Sequence, residues 1–469
     1  MLRTLDVFQW HNSPYTDGDG DLDYDDEYAS VSASRVVSDS GLVSVTESIT
    51  GILDADNAAT GNISNTYQYN VYGMPISCTD STGNITSIDM DSQGRITGYH
   101  YPNNSQKTAE YDLDNNCVTI TDITGAKTKV TFTPLGKLQK KERLEGETWQ
   151  LLTQNSYDSS QRLASSITYM DENTGKKEEY EYDGLDRITK KRVYELPSTL
   201  LYTENYAYAN VGNELRTTVT TAAADNTQVA TVIQKTDSDG NITEEKSESG
   251  STAITKTYTY DYRGNKLTET FPKGGTITYT YDYANNLLST TDELGNVMSN
   301  TYDMAGNLIA QTDAKGAVTN YEYDKAGRKI RDTLPAIGTT AAHIKYYYDS
   351  NSRVIKQSTE QTANVYANVE YTYDVMGNVV KQKEYDPPNN REKYFTYDSS
   401  NRLLSITEGV DVLHCCTKAI YAYDQWGNNT EITDACSNTD IYSSFDYVGN
   451  PKTIVNGKGN TISYQYGIY

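Results

Sequence analysis

The sequence predicts an all-β protein made of tandem antiparallel β-hairpins, each about 21–26 residues long, joined into one meander. Three observations carry this reading. The phrase YTYDYRGN at 258–265 returns as YTYDYANN at 279–286, YEYDKAGR at 321–328, YTYDVMGN at 371–378 and YAYDQWGN at 421–428. Asp-x-x-Gly recurs from 80–83 to 446–449, and between 292 and 327 it arrives every ten or eleven residues. The residues between these turn signals alternate in character, as side chains on a pleated strand must.

The repeat length comes from the Tyr that precedes each Asp. It falls at 260, 281, 302 and 323, a spacing of 21, then at 348, 373, 397 and 423, where gaps of 24 to 26 mark insertions. Weaker copies lie upstream (NSYDSSQRL from 155, YEYDGLDRI from 180, YAYANVGNEL from 206), and Phe445-Asp446 and Tyr464-Gln465-Tyr466 carry the rhythm onward. Asp at the first and Gly at the fourth position mark a type I turn. The carboxylate bonds back to turn amides, and Gly takes the positive φ that opens the next strand. Asn265, Asn296, Asn307, Asn378 and Asn428 follow the Gly and tolerate turn geometry.

In ITYTYDY, Tyr279 and Tyr281 share one face while Thr278, Thr280 and Asp282 share the other. One 21-residue unit is therefore two short strands and two tight turns. Helix signals are almost absent, because apolar residues never hold i, i+3, i+4 spacing and Thr, Tyr and Asn disfavour helix. A lone hairpin is marginal in water, so stability is expected from unit-to-unit contacts. The Tyr-x-Tyr pairs are expected to form ladders of rings across adjacent strands. Residues 1–60 read as an acidic segment, partly disordered or built of degenerate repeats; 61–469 read as the array, best defined over 255–469. A β-propeller with 42-residue blades and a right-angled parallel β-helix are the competing architectures.

Composition narrows the function. Lys plus Arg is 40 and Asp plus Glu is 64, so the formal charge is 40 − 64 = −24. Such a chain repels nucleic acid and anionic membranes. There are 42 Tyr against 5 Phe and 3 Trp, which suits broad half-buried surfaces rather than a dry core. Cys78, Cys117, Cys415, Cys416 and Cys436 are too scattered for a disulfide framework, and no CxxC suggests zinc. No apolar run is long enough to span a membrane, and the N-terminus has no signal-peptide pattern.

The recurring Y-x-Y-D-x-x-G-N/R-L resembles the YD-repeat family, also called Rhs repeats. The units that carry the resemblance are YTYDYRGNKL, NTYDMAGNLI, YEYDKAGRKI, YTYDVMGNVV, TYDSSNRLL and YAYDQWGNNT. Recognisable copies cover about 90 to 466, with degenerate ones back to Tyr67-Gln68-Tyr69-Asn70. The family includes Rhs polymorphic toxins, wall-associated proteins, the B and C subunits of insecticidal toxin complexes, and teneurins. The resemblance implies that the hairpins wind into a curved, shell-like YD-repeat sheet. In bacterial toxins such a shell encloses an effector. The chain departs from those toxins in one motif: its single Asp-Pro, Asp386-Pro387-Pro388, lacks the Gly-Leu of an aspartyl self-cleavage stretch. Self-cleavage and an attached toxin are thus unsupported, and the chain is short for a closed shell of this family.

Candidate chemistry is sparse. His11, His100, His343 and His414 have no metal-ligand spacing. His414-Cys415-Cys416 places a base beside a thiol, yet neighbouring side chains on a strand point to opposite faces. Asp17, Asp19 and Asp21 resemble the start of a calcium loop, but Leu22 and Tyr28 stand where an EF-hand needs Gly and Glu. The repeated Asp residues are explained by turn chemistry. No nucleotide-binding, hydrolase or metalloprotease motif occurs. The sequons at Asn62, Asn84 and Asn241 are expected by chance in an Asn- and Thr-rich chain.

The expected function is non-enzymatic and cofactor-free. The chain reads as a shell segment of a bacterial secreted or surface protein that contains or presents an effector polypeptide. The alternative is an extracellular module whose Tyr faces stack on cell-surface glycans.

Overall fold

A computed structural model describes residues 31–38, 42–336, 341–362, 365–385, 390–409 and 415–466. Asp17, Asp19, Asp21, His11, His414 and Asp386-Pro387-Pro388 lie outside the described residues, as does the side chain of Cys415. The described residues form 37 strands and no helix. Every strand pairs antiparallel with the one before it and the one after it, from Val31–Val37 against Val43–Ile49 through to Pro451–Val455 against Thr461–Ser463. This is an uninterrupted meander in one sheet, which rules out propeller blades and parallel β-helix coils.

The turns explain why the chain reverses so regularly. At 261–265, Gly264 N–H donates to Asp261 C=O at 3.1 Å and Asp261 N–H donates to Asn265 C=O at 2.9 Å. That is a type I turn closed by a bulge, and the strand register shifts between Thr259 and Tyr260 accordingly. The fourth turn position needs positive φ, and Gly264, Gly306 and Gly377 supply it at 86°, 86° and 87°. Degenerate repeats keep the geometry without Gly. Gln161, Asp186, Asn285, Ser352, Asn401 and Ser437 occupy the same position at φ between 61° and 68°.

The sheet has two unlike faces. On one face Thr or Ser bonds across to the next strand, as Thr259 to Thr268 at 2.7 Å, Thr280 to Ser289 at 2.6 Å and Thr396 to Ser405 at 2.7 Å, while Glu181 and Glu322 in the same place pair with Arg192 and Arg331. The opposite face carries the tyrosine rings, with lysines such as Lys266 against Tyr258 and Tyr279. Almost nothing is dry: among the described residues the buried apolar side chains are Ile52, Ala55, Val118, Ala126, Val193 and Ile233. Six such residues cannot hold a chain of this length as an ordinary core does, so cohesion resides in contacts between neighbouring strands.

Turns after odd-numbered strands lie along one edge of the sheet, here called upper, and include every Tyr-Asp turn among the described residues. Turns after even-numbered strands lie along the lower edge. Gly327 has φ 76° and open space where a Cβ would stand, so the limit on its side chain is conformational alone. Gly327→Val is expected to destabilise the chain by about 1–3 kcal/mol, as strained left-handed positions do. Gly327→Asn should cost far less. Urea unfolding measures both, and equal midpoints would contradict the turn assignment.

Candidate functional site

In most units one carboxylate organises the upper turn, with Asn70 and Thr133 standing in at 70–74 and 133–137. Asp282 Oδ1 accepts from Ala284 N–H at 2.8 Å and Asn286 N–H at 2.8 Å, while Oδ2 accepts from Asn286 Nδ2 at 2.9 Å. The Asn286 side chain first, then its backbone amide, holds the Asp282 carboxyl below its usual range. Arg does the same work at other turns. Arg328 Nε bonds Asp324 Oδ2 at 2.6 Å, and its Nη1 reaches Asp349 C=O in the next unit at 3.1 Å. Arg353 reaches Asp374 C=O at 3.3 Å, and Arg402 reaches Asp424 C=O at 2.7 Å. The residue after the Gly is therefore a clamp on the Asp, a role that tolerance of turn geometry did not reveal.

From Tyr302 to Tyr423 the tyrosine before each upper turn ties its unit to the predecessor. Tyr302 OH donates to Leu287 C=O at 3.1 Å, Tyr323 to Leu308 at 3.0 Å, Tyr348 to Lys329 at 2.6 Å, Tyr373 to Val354 at 2.7 Å, Tyr397 to Val379 at 3.0 Å and Tyr423 to Leu403 at 3.0 Å. Burial pushes the Tyr323 hydroxyl upward, which keeps it a donor. The expected ladder of stacked rings is not what holds the units. Equivalent tyrosines sit two strands apart, about 9.6 Å, beyond the roughly 4.5–7 Å at which rings interact. Cations fill the gap: the Arg328 guanidinium lies 4.6 Å from the Tyr348 ring centre, Arg353 4.7 Å from Tyr373 and Arg402 4.9 Å from Tyr423. Among the described residues Tyr464 and Tyr466 alone stack, at 6.1 Å.

Beyond this local coupling, the sheet meets itself. Lower turns early in the chain touch upper turns or strands roughly 300 residues later. Asp56 takes Lys345 Nζ at 2.6 Å and Tyr347 OH at 2.6 Å, and Arg331 Nη2 donates to Ala55 C=O at 2.5 Å. Asn351 Nδ2 donates to Asp80 Oδ2 at 2.8 Å, Asn103 Nδ2 to Ser399 C=O at 3.1 Å, and Thr124 Oγ1 to Gln425 C=O at 2.8 Å. Lys452 Nζ bonds Asp171 at 2.6 Å, and Tyr447 N–H donates to Met170 C=O at 2.6 Å. The sheet has thus completed a circuit, and its lower edge rests on its own later upper edge.

The strand order measures the circuit. The turn at 80–84 follows the fourth strand and meets the turn after the twenty-seventh; the turn at 122–126 follows the eighth and meets the turn after the thirty-third. One circuit takes 23 to 25 strands. Among the described residues the seam has one buried cation. Arg143, 6% exposed, lies 5.2 Å from the Trp426 ring centre and 4.4 Å from that of Tyr447, and pairs with Glu145. A cleft of about 310 Å³ in the seam is lined by Ile63, Asn65, Asp80, Asn351, Arg353 and Met376.

The other singled-out residues do not converge. His100 Nε2 meets Asp89 at 2.6 Å on the surface, and His343 Nδ1 meets Thr333 Oγ1 at 3.1 Å. Burial pushes the Cys78 and Cys117 thiols up, the opposite of what a nucleophile needs. Cys416 and Cys436 are exposed free thiols. Among the described residues no group of three or more His, Cys, Asp or Glu side chains is placed to hold a metal, and no helix is long and apolar enough to cross a membrane.

A single sheet written from one Tyr-Asp turn unit is a repeat protein. The RHS Repeat family model matches residues 260–297 and 302–336, so this stretch carries YD, or Rhs, repeats. No curated protein matches it. Among solved structures, the crystal structure of TcdB2-TccC3-Cdc42 is similar at 14% identity, with 88% of this chain and 27% of that one covered and a TM-score of 0.49. The Photorhabdus luminescens Tc holotoxin pore with a TccC3 mutation is similar at 13% identity, with 91% and 29% covered and a TM-score of 0.37. The chain spans 27% to 32% of the length of these toxin-complex chains.

The seam pairs set a pH dependence. Lys345 first, then Tyr347, holds the Asp56 carboxyl below its usual range. Burial pushes Asp171 upward, but Lys452 and Thr174 outweigh it and depress that carboxyl too. A depressed folded pKa contributes stability above the unfolded value, about 3.9, and loses it as the pH falls through the folded one. Asp171→Asn is expected to melt lower than wild type at neutral pH, with the gap narrowing below about pH 4. A gap that widens on acidification would contradict this.

Proposed function

We propose that the chain is a non-enzymatic wall segment of a YD-repeat shell, in a bacterial secreted or surface protein, that contains or presents an associated polypeptide. The observation that supports this reading is the seam, because a sheet that meets its own edge surrounds a space. At about 4.8 Å per strand, about 24 strands give a circumference of roughly 115 Å and a width of about 37 Å between strand centre lines. Side chains take roughly 5 Å from each wall, half the usual sheet-to-sheet spacing, leaving about 27 Å. A folded domain of about 100 residues has a radius of gyration near 13 Å and a diameter of roughly 34 Å. The bore suits an extended or partly unfolded polypeptide better than a folded domain of that size.

The carboxylates also favour structural work. Asp282 and Asp324 are committed to turn clamps, and Asp56 and Asp171 to the seam. On the sheet face, the rings of Tyr348, Tyr373 and Tyr423 lie against guanidinium groups rather than open to a sugar; the tyrosines left bare, Tyr72, Tyr262 and Tyr283, stand at turn tips.

Containment is tested by appending a natively unfolded reporter segment to the C-terminus of the full chain and exposing it to a protease. The reporter is expected to resist digestion relative to the free segment, and to lose protection when Arg143→Ala and Lys452→Glu open the seam. Digestion at the rate of the free segment in the intact chain would contradict the reading.

A further inference from the structure

The seam shows what an upper Tyr-Asp turn looks like when another course of sheet rests on it. At 351, 376, 400 and 426 the third turn residue is Asn, Met, Ser and Trp, and all four are shielded. Tyr447, the second residue of its turn, donates its hydroxyl to Gln150 at 3.0 Å and covers Arg143. The same edge continues without interruption into the earlier part of the chain, from the turn at 70–74 to that at 303–307, and there nothing among the described residues rests on it. Tyr262, Tyr283 and Met304 are 83%, 92% and 88% exposed at the tips of consecutive turns, with Tyr72 and Leu185 also bare. Solvent-exposed aromatic and apolar tips in register along one edge are costly unless something covers them.

The complementary edge is also present, and nothing among the described residues rests on it. From the turn at 224–227 onward the described lower turns make only local hydrogen bonds, and they expose Asp225, Glu293, Leu294 and Asp313. Acidic and polar lower turns are what the seam sets against upper turns: Asp56, Asp80 and Asp171 meet Lys345, Asn351 and Lys452. The bare upper edge offers Arg263 beside Tyr262 and Tyr283. Among the described residues each molecule thus carries both halves of the seam in uncovered form, each continuous with the half already joined.

We propose that the bare upper edge, from the turn at 70–74 to that at 303–307, is a docking edge for the bare lower edge of a second copy of this chain. The copies stack head to tail and continue the wall by the same turn-on-turn contacts that close the seam. The contact is heterologous, so it does not saturate at two copies and each added molecule presents a fresh upper edge. It stands whether or not the wall holds a cargo.

Sedimentation of the full chain across the micromolar range tests this. Wild type is expected to pass from single copies to a ladder of two and more as concentration rises. Tyr262→Glu, Tyr283→Glu and Met304→Glu together disable the upper edge; Glu293→Lys and Leu294→Lys disable the lower one. These side chains project from turn tips, and far-UV circular dichroism matching wild type verifies that each variant is folded. Each variant alone should remain a single copy, whereas an equimolar mixture should form pairs and nothing larger, since one functional edge of each kind remains. A wild type that stays a single copy throughout overturns the proposal, and so does a folded upper-edge variant that assembles like wild type.

Discussion

The wall depends on one hydrogen bond that recurs along the chain, from the hydroxyl of the tyrosine before an upper turn to a backbone carbonyl at the start of the return strand one unit earlier. It is made at Tyr157, Tyr182 and Tyr208 and from Tyr302 through Tyr423. Tyr323 to Leu308 is an example. It fixes the spacing between consecutive upper turns, because the donor is held by its own turn clamp and the acceptor follows the previous one. The aspartate, the positive-φ fourth residue and the Asn or Arg after it then act as one device. They place the next acceptor carbonyl, and Arg extends a second bond to the neighbouring turn. Y, D, G, N or R, and L each have a partner in this scheme.

A sheet so coupled has little need of a dry interior. Its cohesion scales with the number of neighbouring units, as in other repeat proteins, while its ends and edges remain vulnerable. The seam changes that balance by joining segments about 300 residues apart through charged pairs, a buried Arg143 and turn-to-backbone bonds. Those contacts convert a ribbon of hairpins into an enclosing wall, and they do so at the turn edges rather than through strand pairing.

The hairpin array was legible in the sequence because alternation and the Asp-x-x-Gly turn are local properties, written within a few residues of where they act. Positive φ at the fourth turn position followed from Gly264 and Gly306 directly. The role of Asn286 or Arg328 was not legible, since turn tolerance and carboxylate clamping favour the same residues. A ladder of rings does not form because equivalent tyrosines stand two strands apart, a distance that Arg353 and Arg402 occupy and that the number of tyrosines per unit does not reveal. The seam left no local signal. Asp56 and Lys345, or Arg143 and Trp426, become neighbours through the accumulated curvature of more than twenty strands, and no spacing in the sequence encodes that.

The central claim, that the second tyrosine hydroxyl couples one unit to the next, is tested most directly by comparing Tyr323→Phe with Tyr321→Phe in equilibrium unfolding. Tyr323 bonds the Leu308 carbonyl, whereas the Tyr321 ring lies against Lys329 and its hydroxyl makes no hydrogen bond among the described residues. Loss of the Tyr323 hydroxyl is expected to cost about 0.5–1.5 kcal/mol, the net value of one such bond, and loss of the Tyr321 hydroxyl close to nothing. Equal stability of the two variants, or a larger loss at Tyr321, would contradict the account.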